Sequence, residues 1–262
     1  MITDQEIQQF TEVGAVTIDT PLTPQQIAAT SAVFDYLLPF HEPGEGESPR
    51  YRVGMTCSFD HSQLLDIIQH PFFEEVAKRV LQADAVHFFQ TAIVTTYPQP
   101  NMPFSFGQHV DIQYRLSDLH AVPRRMVCSY FLWISDVNKR RAPLMYRPGS
   151  HRLIAQEREN QPDLKDTIPL VAGATLNQLP ALQYADPIPV VSRAGQVTVL
   201  TTAMVHGASV NVDSAPRKVM VITFTAEGVE IGLPPDQAAT KREYDRQLRQ
   251  HLRAERAHIV PI

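Results

Sequence analysis

The stretch that decides the fold is Val127-Cys128-Ser129-Tyr130-Phe131-Leu132-Trp133-Ile134. It is rich in β-branched and aromatic side chains, which favour the pleated, half-buried surface of a strand. Comparable runs, each bounded by Pro, Gly or Asn, occupy residues 86–97, 143–146, 188–191, 196–200 and 218–224. Because such runs indicate strands, the pattern predicts a row of strands from about residue 84 to about residue 228.

The residues before this row predict helices instead. Thr3 and Glu6 form a capping-box pattern, apolar residues follow at helical spacing, and Gly14 ends the helix. Residues 24–38 and 64–81 show the same helical spacing. After the strands, a tail dense in Arg, Glu and Gln predicts a solvated terminal helix.

Helices first and strands afterwards predict a mainly β fold with helical additions. The simplest such arrangement is a double-sheet jelly roll buttressed by the N-terminal helices. No linker or repeat divides the sequence, so a single domain over residues 1–262 is expected. It comprises a helical part at about 1–83, a jelly-roll core at about 84–228 and a C-terminal helix at about 235–257.

The composition disfavours several functional classes. The 262 residues carry 28 acidic and 23 basic side chains, a balance that disfavours electrostatically driven binding to nucleic acid. No run of about 18 apolar residues could cross a membrane, and the N-terminus lacks the pattern of a secretory signal. Cys57 and Cys128 are too few for a disulfide framework. We expect a cytoplasmic protein that acts on a small molecule.

Three residues form a candidate metal site. His109 and Asp111 are two positions apart, so on a strand they point to the same face. His206 follows the apolar run at residues 197–200 and precedes a Gly-Ala-Ser turn, where a third ligand from a distant strand would fit. Two His and one carboxylate leave open positions on Fe(II), an arrangement suited to oxygen activation.

Arg217 opens another predicted strand soon after His206. A guanidinium near such a metal can hold a carboxylate with two parallel hydrogen bonds, as the distal carboxylate of a 2-oxoglutarate cosubstrate requires. Each of these residues taken alone is more often a surface or structural side chain, and it is their ordered combination that favours a site. His151, in Pro148-Gly149-Ser150-His151, is expected to be structural rather than a further ligand.

With these motifs the chain resembles the phytanoyl-CoA dioxygenase-type Fe(II)/2-oxoglutarate oxygenases. Members of that family share a double-stranded β-helix core, a cupin-like variant of the jelly roll. The resemblance covers most of the chain, from residues 10–16 to Arg217. It rests on Gln90, on His109-Val110-Asp111 and on the segments 127–130, 147–151, 195–199 and 206–211.

The resemblance assigns the metal and cosubstrate ligands. It implies that His109, Asp111 and His206 bind iron, and that Arg217 pairs with the C5 carboxylate of 2-oxoglutarate. The C1 carboxylate and the 2-oxo group of the cosubstrate would chelate the metal.

Further residues of the cosubstrate pocket follow from the same resemblance. Tyr130 matches a position that often lines this pocket, and Gln90 matches a position that often faces the active site. The family often has a small hydroxyl residue two positions after the distal His. That position is Ala208 here, and the next residue, Ser209, is the candidate hydroxyl.

Asp111 indicates the type of reaction. Halogenases of this superfamily typically carry a small residue in place of that carboxylate, so its presence favours hydroxylation of an aliphatic C–H bond. The reaction would use O2 and 2-oxoglutarate and release succinate and CO2. Desaturation, cyclisation and epoxidation remain open, as do a non-catalytic cupin-like metal-binding module and a structural protein.

The substrate pocket of the family lies around the loop before the His-x-Asp motif and the residues just after it. The candidates in this chain are Arg52, Phe104, Phe106, Gln113, Tyr114, Arg115 and Arg147. Three arginines near the expected mouth suit a carboxylate, sulfate or phosphate, as in an amino acid or a polar specialised metabolite. The acidic balance of the chain argues against a CoA thioester.

Overall fold

The computed structural model describes residues 1–41, 51–56, 61–159, 168–169 and 176–261; Cys57 lies outside these ranges. Its helices are α1 (Asp4–Val13), α2 (Pro24–Leu37), α3 (Ser62–Ile68), α4 (Pro71–Leu81), α5 (Leu116–His120), α6 (Ser150–Glu159) and α7 (Pro235–His251), with a 3-10 helix at Ala254–Ile259. Its strands are β1 (Ala15–Asp19), β2 (Arg52–Thr56), β3 (Val86–Thr96), β4 (Val127–Trp133), β5 (Leu144–Tyr146), β6 (Ile168–Pro169), β7 (Ile188–Pro189), β8 (Gln196–Leu200), β9 (His206–Ala208), β10 (Arg217–Ala226) and β11 (Ile231–Gly232). No helix within these ranges is both long and apolar enough to cross a membrane.

Two antiparallel sheets form the core, as predicted for a jelly roll. The major sheet has the order β1-β8-β4-β10-β3-β2, and the minor sheet has the order β7-β5-β9. Single bridges from Phe106 to Ser209 and from His109 to His206 extend the minor sheet beyond β9. An apolar cluster joins the facing sheets, with Trp133 and Val219 from the major sheet and Leu144 from the minor one.

The outer face of the major sheet packs against the helices. Tyr130 and Phe224 alternate with inward-facing residues and join the helices' apolar side chains in the largest buried cluster. The ring of Phe73 on α4 lies 5.3 Å from the ring of Tyr130 in a T-shaped contact. The predicted capping box of α1 is present, with reciprocal hydrogen bonds between Thr3 and Glu6.

The expected boundaries need two corrections. The N-terminal helical part also contributes strands, because β1 and β2 form the two edges of the major sheet. The terminal helix α7 ends at His251 rather than near residue 257, and a 3-10 helix follows. Nor is α7 solvated all round, since Leu248 is fully buried and the ring of Tyr244 stacks 6.5 Å from that of Phe88.

Candidate metal centre and its cavity

A cavity of about 740 Å³ lies between the two sheets. Strand alternation decides which residues line it, because every second side chain of a strand points to the same face. On β10 these residues are Arg217, Val219, Val221 and Thr223. The cavity wall also includes His109, Asp111 and His206, so it brings together residues that are far apart in the sequence.

The three candidate metal ligands form one compact group. Their ligand atoms all lie within 4.8 Å of one another. The Nε2 atom of His109 is 3.1 Å from Oδ1 of Asp111, and Nε2 of His206 is 3.5 Å from Oδ2 of Asp111. Two ligands of one ion, each about 2.1 Å from it and at right angles, are separated by about 3 Å. The group therefore fits a single metal ion without a large rearrangement.

Backbone hydrogen bonds hold these ligands in register. His109 and His206 exchange bonds of 2.9 and 3.0 Å, and the N–H of Asp111 donates to the carbonyl of Thr202 at 3.0 Å. Nδ1 of His206 lies 2.8 Å from the carbonyl oxygen of Met204, which leaves Nε2 for a metal. Residues 109 and 110 form single bridges rather than a regular strand, and the ligand side chains still converge.

Asp111 is held in its ionised form. Burial by itself would raise the pKa of this carboxyl, but hydrogen bonds from His109 and His206 and the charges of these rings hold it well below its usual range. A carboxylate that is already deprotonated can bind a cation without first losing a proton.

Arg217 is buried in the wall of the same cavity. Its side chain is 4% exposed, and its Nε has no hydrogen-bond partner among the described residues. Burial, together with the positive charge of Arg52, lowers the pKa of Arg217 to about 9. Thr96 is the register partner of both arginines in the adjoining strands, and its buried hydroxyl also lacks a partner. These groups form a corner suited to an anion, because buried charges are normally paired.

Among the other residues expected at the site, Gln90 and Arg52 line the cavity. The expectation for Tyr130 is corrected by its placement on the outer face of β4, where its hydroxyl donates to the carbonyl of Phe73 at 2.8 Å. Ser209 is corrected in the same way, because its hydroxyl donates to the carbonyl of Pro143 at 2.6 Å. Both residues lie one position away from a residue that does face the cavity.

The structure does not bring most of the expected substrate residues to the cavity wall. Tyr114 is buried in the core, where its hydroxyl accepts from the N–H of Val127 at 2.9 Å. Arg147 donates to the side-chain oxygen of Gln108 and to the carbonyl of Ala185.

The remaining candidates also lie away from the cavity. Arg115 precedes α5, where its backbone N–H donates to Asp118, and Gln113 is buried. Phe104 is exposed beside Phe106. Of the three arginines, only Arg52 faces the cavity.

Sequence reasoning missed several residues of the cavity wall. They are Phe89, Thr96, Ser129, Phe131, Trp133, Thr202 and Thr223, with Thr96 set beside the wall by its register. The signal for three of them was the period of two in residues 127–133, because Ser129, Phe131 and Trp133 share a face that excludes Tyr130. Which face pointed inward could not be read from the strand alone, since apolar residues occupy both.

The sequence matches the family described as phytanoyl-CoA dioxygenase (PhyH) over residues 10–219. The chain belongs to this family. No curated protein matches the sequence.

Several solved structures share the fold. The carbocyclase SnoK from nogalamycin biosynthesis, described as alpha-ketoglutarate-dependent, is 20% identical over 91% of this chain and 90% of that one, with a TM-score of 0.61. The epimerase SnoN in complex with Fe3+, alpha ketoglutarate and nogalamycin RO is 17% identical over 85% and 83%, with a TM-score of 0.60. HygX from Streptomyces hygroscopicus, with nickel, 2-oxoglutarate and hygromycin B bound, is 14% identical over 87% and 89%, with a TM-score of 0.61. At these identities the likeness concerns the fold.

Proposed function

We propose that this PhyH-family protein is an Fe(II)- and 2-oxoglutarate-dependent oxygenase that hydroxylates an aliphatic C–H bond of a small polar molecule and releases succinate and CO2. One observation carries the proposal. A His-Asp-His group of metal-binding geometry and a buried arginine without an anionic partner among the described residues line the same cavity.

The donor set fits iron. Two imidazoles and one carboxylate leave three positions of an octahedral ion for a chelating cosubstrate and O2. When bound, the metal and its cosubstrate would supply the oxidising power that no amino-acid side chain has. The protein itself supplies position and electrostatics.

Different residues of the cavity would bind the metal and the cosubstrate. His109, Asp111 and His206 would hold the metal, with the carboxylate offsetting part of its charge. Arg217 would bind the distal carboxylate of the cosubstrate. With Thr96 beside it, Arg217 would also limit the length of the molecule that fits between this guanidinium and the metal. Trp133, whose ring centroid is 6.0 Å from the guanidinium carbon of Arg217, would help to exclude water from that contact.

The far part of the cavity would receive the substrate. Thr223 lies six residues beyond Arg217 on β10, about 20 Å along the strand. Gln90 and Ser129 are the register partners of Thr223 on the neighbouring strands and face the same cavity. This row offers neutral hydrogen-bonding groups rather than charges. Since two of the three expected arginines lie elsewhere, we propose a neutral polar metabolite over a substrate bound through a carboxylate, such as an amino acid.

Two relatives in fold point to a second outcome of the same chemistry. SnoK is described as a carbocyclase and SnoN as an epimerase. Products of the reaction should therefore be examined for ring closure and inverted centres as well as for an added oxygen atom.

The test is an anaerobic absorption spectrum of the purified protein, titrated with Fe(II) and then with 2-oxoglutarate. We expect a weak visible charge-transfer band that saturates with 2-oxoglutarate and is lost in His206→Ala. His87→Ala is the matched control, because His87 is a half-buried histidine that contacts Glu227 outside the cavity. Iron binding without the band would instead favour a cupin-like metal-binding module, and absence of iron binding would reject the site.

A further inference from the structure

A second cavity, of about 280 Å³, shares no lining residue with the metal cavity. It lies between the end of α1, the segment after α5 and the start of α6. Its polar wall consists of Thr11, Glu12, His120, Arg124, His151, Arg152 and Thr201. Nothing in the proposed oxygenase reaction uses these residues.

Arg124 is the unusual member of this wall. Three cationic side chains in the described part of the chain are buried, namely Arg124, Arg217 and Lys218. Lys218 is paired with Asp35 at 2.7 Å, and Arg217 faces the proposed cosubstrate. Arg124 is 7% exposed, and its guanidinium donates a 3.0 Å hydrogen bond from Nη2 to the hydroxyl of Thr11. No carboxylate among the described residues lies within ion-pair distance of it.

The surroundings do not neutralise this charge. Arg152 adds a second positive charge, while burial lowers the pKa of His151 to about 4 and keeps that ring neutral at pH 7. Glu12 is the acidic residue of the wall, but its side chain is exposed and accepts a hydrogen bond from Gln8 at 3.0 Å. The C-terminal end of α1 offsets only part of the charge, because a helix end carries about half an elementary charge.

We propose that this cavity binds a small oxyanion, inorganic phosphate or a short carboxylate, on the guanidinium of Arg124 with Arg152 beside it. Burying a cation without an anionic partner is costly, and an oxyanion would supply the opposite charge and charge-assisted hydrogen bonds to the guanidinium. The volume of the cavity accommodates an ion of this size.

The site is joined to the metal centre by one short loop. Thr201 is part of the cavity wall, and its carbonyl accepts a hydrogen bond from the N–H of Met204 at 3.0 Å. The carbonyl of Met204 in turn contacts Nδ1 of His206, and the carbonyl of Thr202 accepts from Asp111. An anion that fixes this wall is therefore expected to tighten metal binding, and the metal to tighten anion binding by the same factor.

Calorimetry on the protein loaded with Ni(II) and 2-oxoglutarate tests the proposal, because the Arg217 site is then filled. Inorganic phosphate and succinate are titrated separately. We expect one anion to bind per chain, and Arg124→Met to weaken its binding at least about tenfold, as for loss of a charge-assisted contact. Arg125→Met is the matched control, since this neighbouring arginine pairs with Asp118. Glu12→Gln should tighten binding by removing a nearby negative charge.

Each result has a defined meaning. Binding of phosphate alone would identify a phosphate site, and binding of succinate would identify a carboxylate site. No binding of either anion in the millimolar range, or an equal loss in Arg125→Met, would overturn the proposal. So would a lower melting temperature of Arg124→Met in anion-free buffer, because removal of an unpaired buried charge should not destabilise the fold. Anion binding that leaves the affinity for Ni(II) unchanged would overturn the coupling to the metal centre.

Discussion

The guanidinium of Arg217 is the group expected to recognise the distal carboxylate of 2-oxoglutarate. It is buried, and its Nε has no partner among the described residues, so its desolvation is offset only when an anion binds. The orientation of the guanidinium also matters, because its parallel N–H groups match a carboxylate in a way that a lysine cannot. Arg217 is therefore expected to select the cosubstrate more than it supports the fold.

We predict that Arg217→Ala raises the 2-oxoglutarate concentration needed for half-saturation of the visible band at least about tenfold, because it removes a charge-assisted contact. Arg217→Lys keeps the charge but loses the paired geometry. Its half-saturating 2-oxoglutarate concentration should therefore fall between those of the wild type and Arg217→Ala. Affinity for Fe(II) alone should stay close to that of the wild type in both variants. An unchanged 2-oxoglutarate requirement in Arg217→Ala would assign the distal carboxylate to another residue.

Gly14 is a position where both the backbone conformation and the packing require glycine. Its φ is +91°, and a Cβ placed on it would lie 2.8 Å from Nδ1 of His151 and 2.9 Å from the sulfur of Met204. Gly228 has a φ of +77° with nothing within 4 Å of such a Cβ. The two glycines therefore share the left-handed conformation but differ in packing.

We predict that Gly14→Ala destabilises the protein by about 2–4 kcal/mol, the sum of the left-handed strain and of overpacking. Gly228→Ala should cost only about 1–2 kcal/mol, since strain alone applies. Urea unfolding of both variants measures the difference. Gly14→Ala should also weaken metal binding, because Met204 positions His206 through its carbonyl. Equal losses of stability in the two variants would show that His151 and Met204 move aside freely.

At the scale of elements, the strands show how far the sequence could predict the site. The metal ligands were found because His109 and Asp111 are two positions apart and His206 ends an apolar run, and neither signal depends on knowing which face of a strand is inside. Tyr130 and Ser209 were assigned from the resemblance, and each lies next to a residue that does face the cavity, where a shift of one residue reverses the face. The apolar residues on both faces of β4 conceal that choice, and only pairing with β8 and β10 decides it.

The buried carboxylate of Glu74 on α4 forms ion pairs with the C-terminal 3-10 helix. Glu74 accepts from Lys78, contacts Arg256 at 2.6 Å and lies 3.1 Å from Nε2 of His258. Burial alone would raise the pKa of Glu74, but hydrogen bonds from Lys78, His258 and Arg256 lower it to about 2. Because this pKa lies below the ordinary value of 4.5, the carboxylate stabilises the fold above about pH 4.5, and this contribution is lost as the pH falls towards 2.

We predict that Glu74→Gln lowers the free energy of unfolding at pH 7 by about 2–4 kcal/mol, because it removes the buried carboxylate that pairs with the half-buried Arg256 and Lys78. Glu75→Gln, one position along, removes a largely exposed carboxylate that pairs with the same Lys78 and should cost less than about 1 kcal/mol. The gap between Glu74→Gln and the wild type should shrink as the pH falls from 4.5 towards 2. A gap that stays constant over this range would show that the charge of Glu74 does not stabilise the fold.

At the scale of the whole molecule, the proposed ligands would connect the two sheets. His206 lies on the minor sheet, with His109 bridged to it, whereas Arg217 lies on the major sheet. This division could not be read from the sequence, because residue order does not reveal which strands face each other across the cavity. A metal would therefore contact one side of the jelly roll, and only a chelated 2-oxoglutarate would reach both.

We predict that Ni(II) and 2-oxoglutarate together raise the melting temperature more than Ni(II) does alone. A ligand at a hundredfold excess over its dissociation constant adds about 2.7 kcal/mol, or roughly 5–10 °C for a chain of this size. Arg217→Ala should keep the shift caused by the metal and lose the increment from 2-oxoglutarate, whereas His206→Ala should lose both. In buffer free of phosphate and added carboxylates other than 2-oxoglutarate, Arg124→Met should keep both, because the proposed coupling to the metal centre requires an anion at Arg124 and this cavity shares no lining residue with the metal cavity. A full 2-oxoglutarate increment in Arg217→Ala would mean that the cosubstrate does not bridge the two sheets through this arginine.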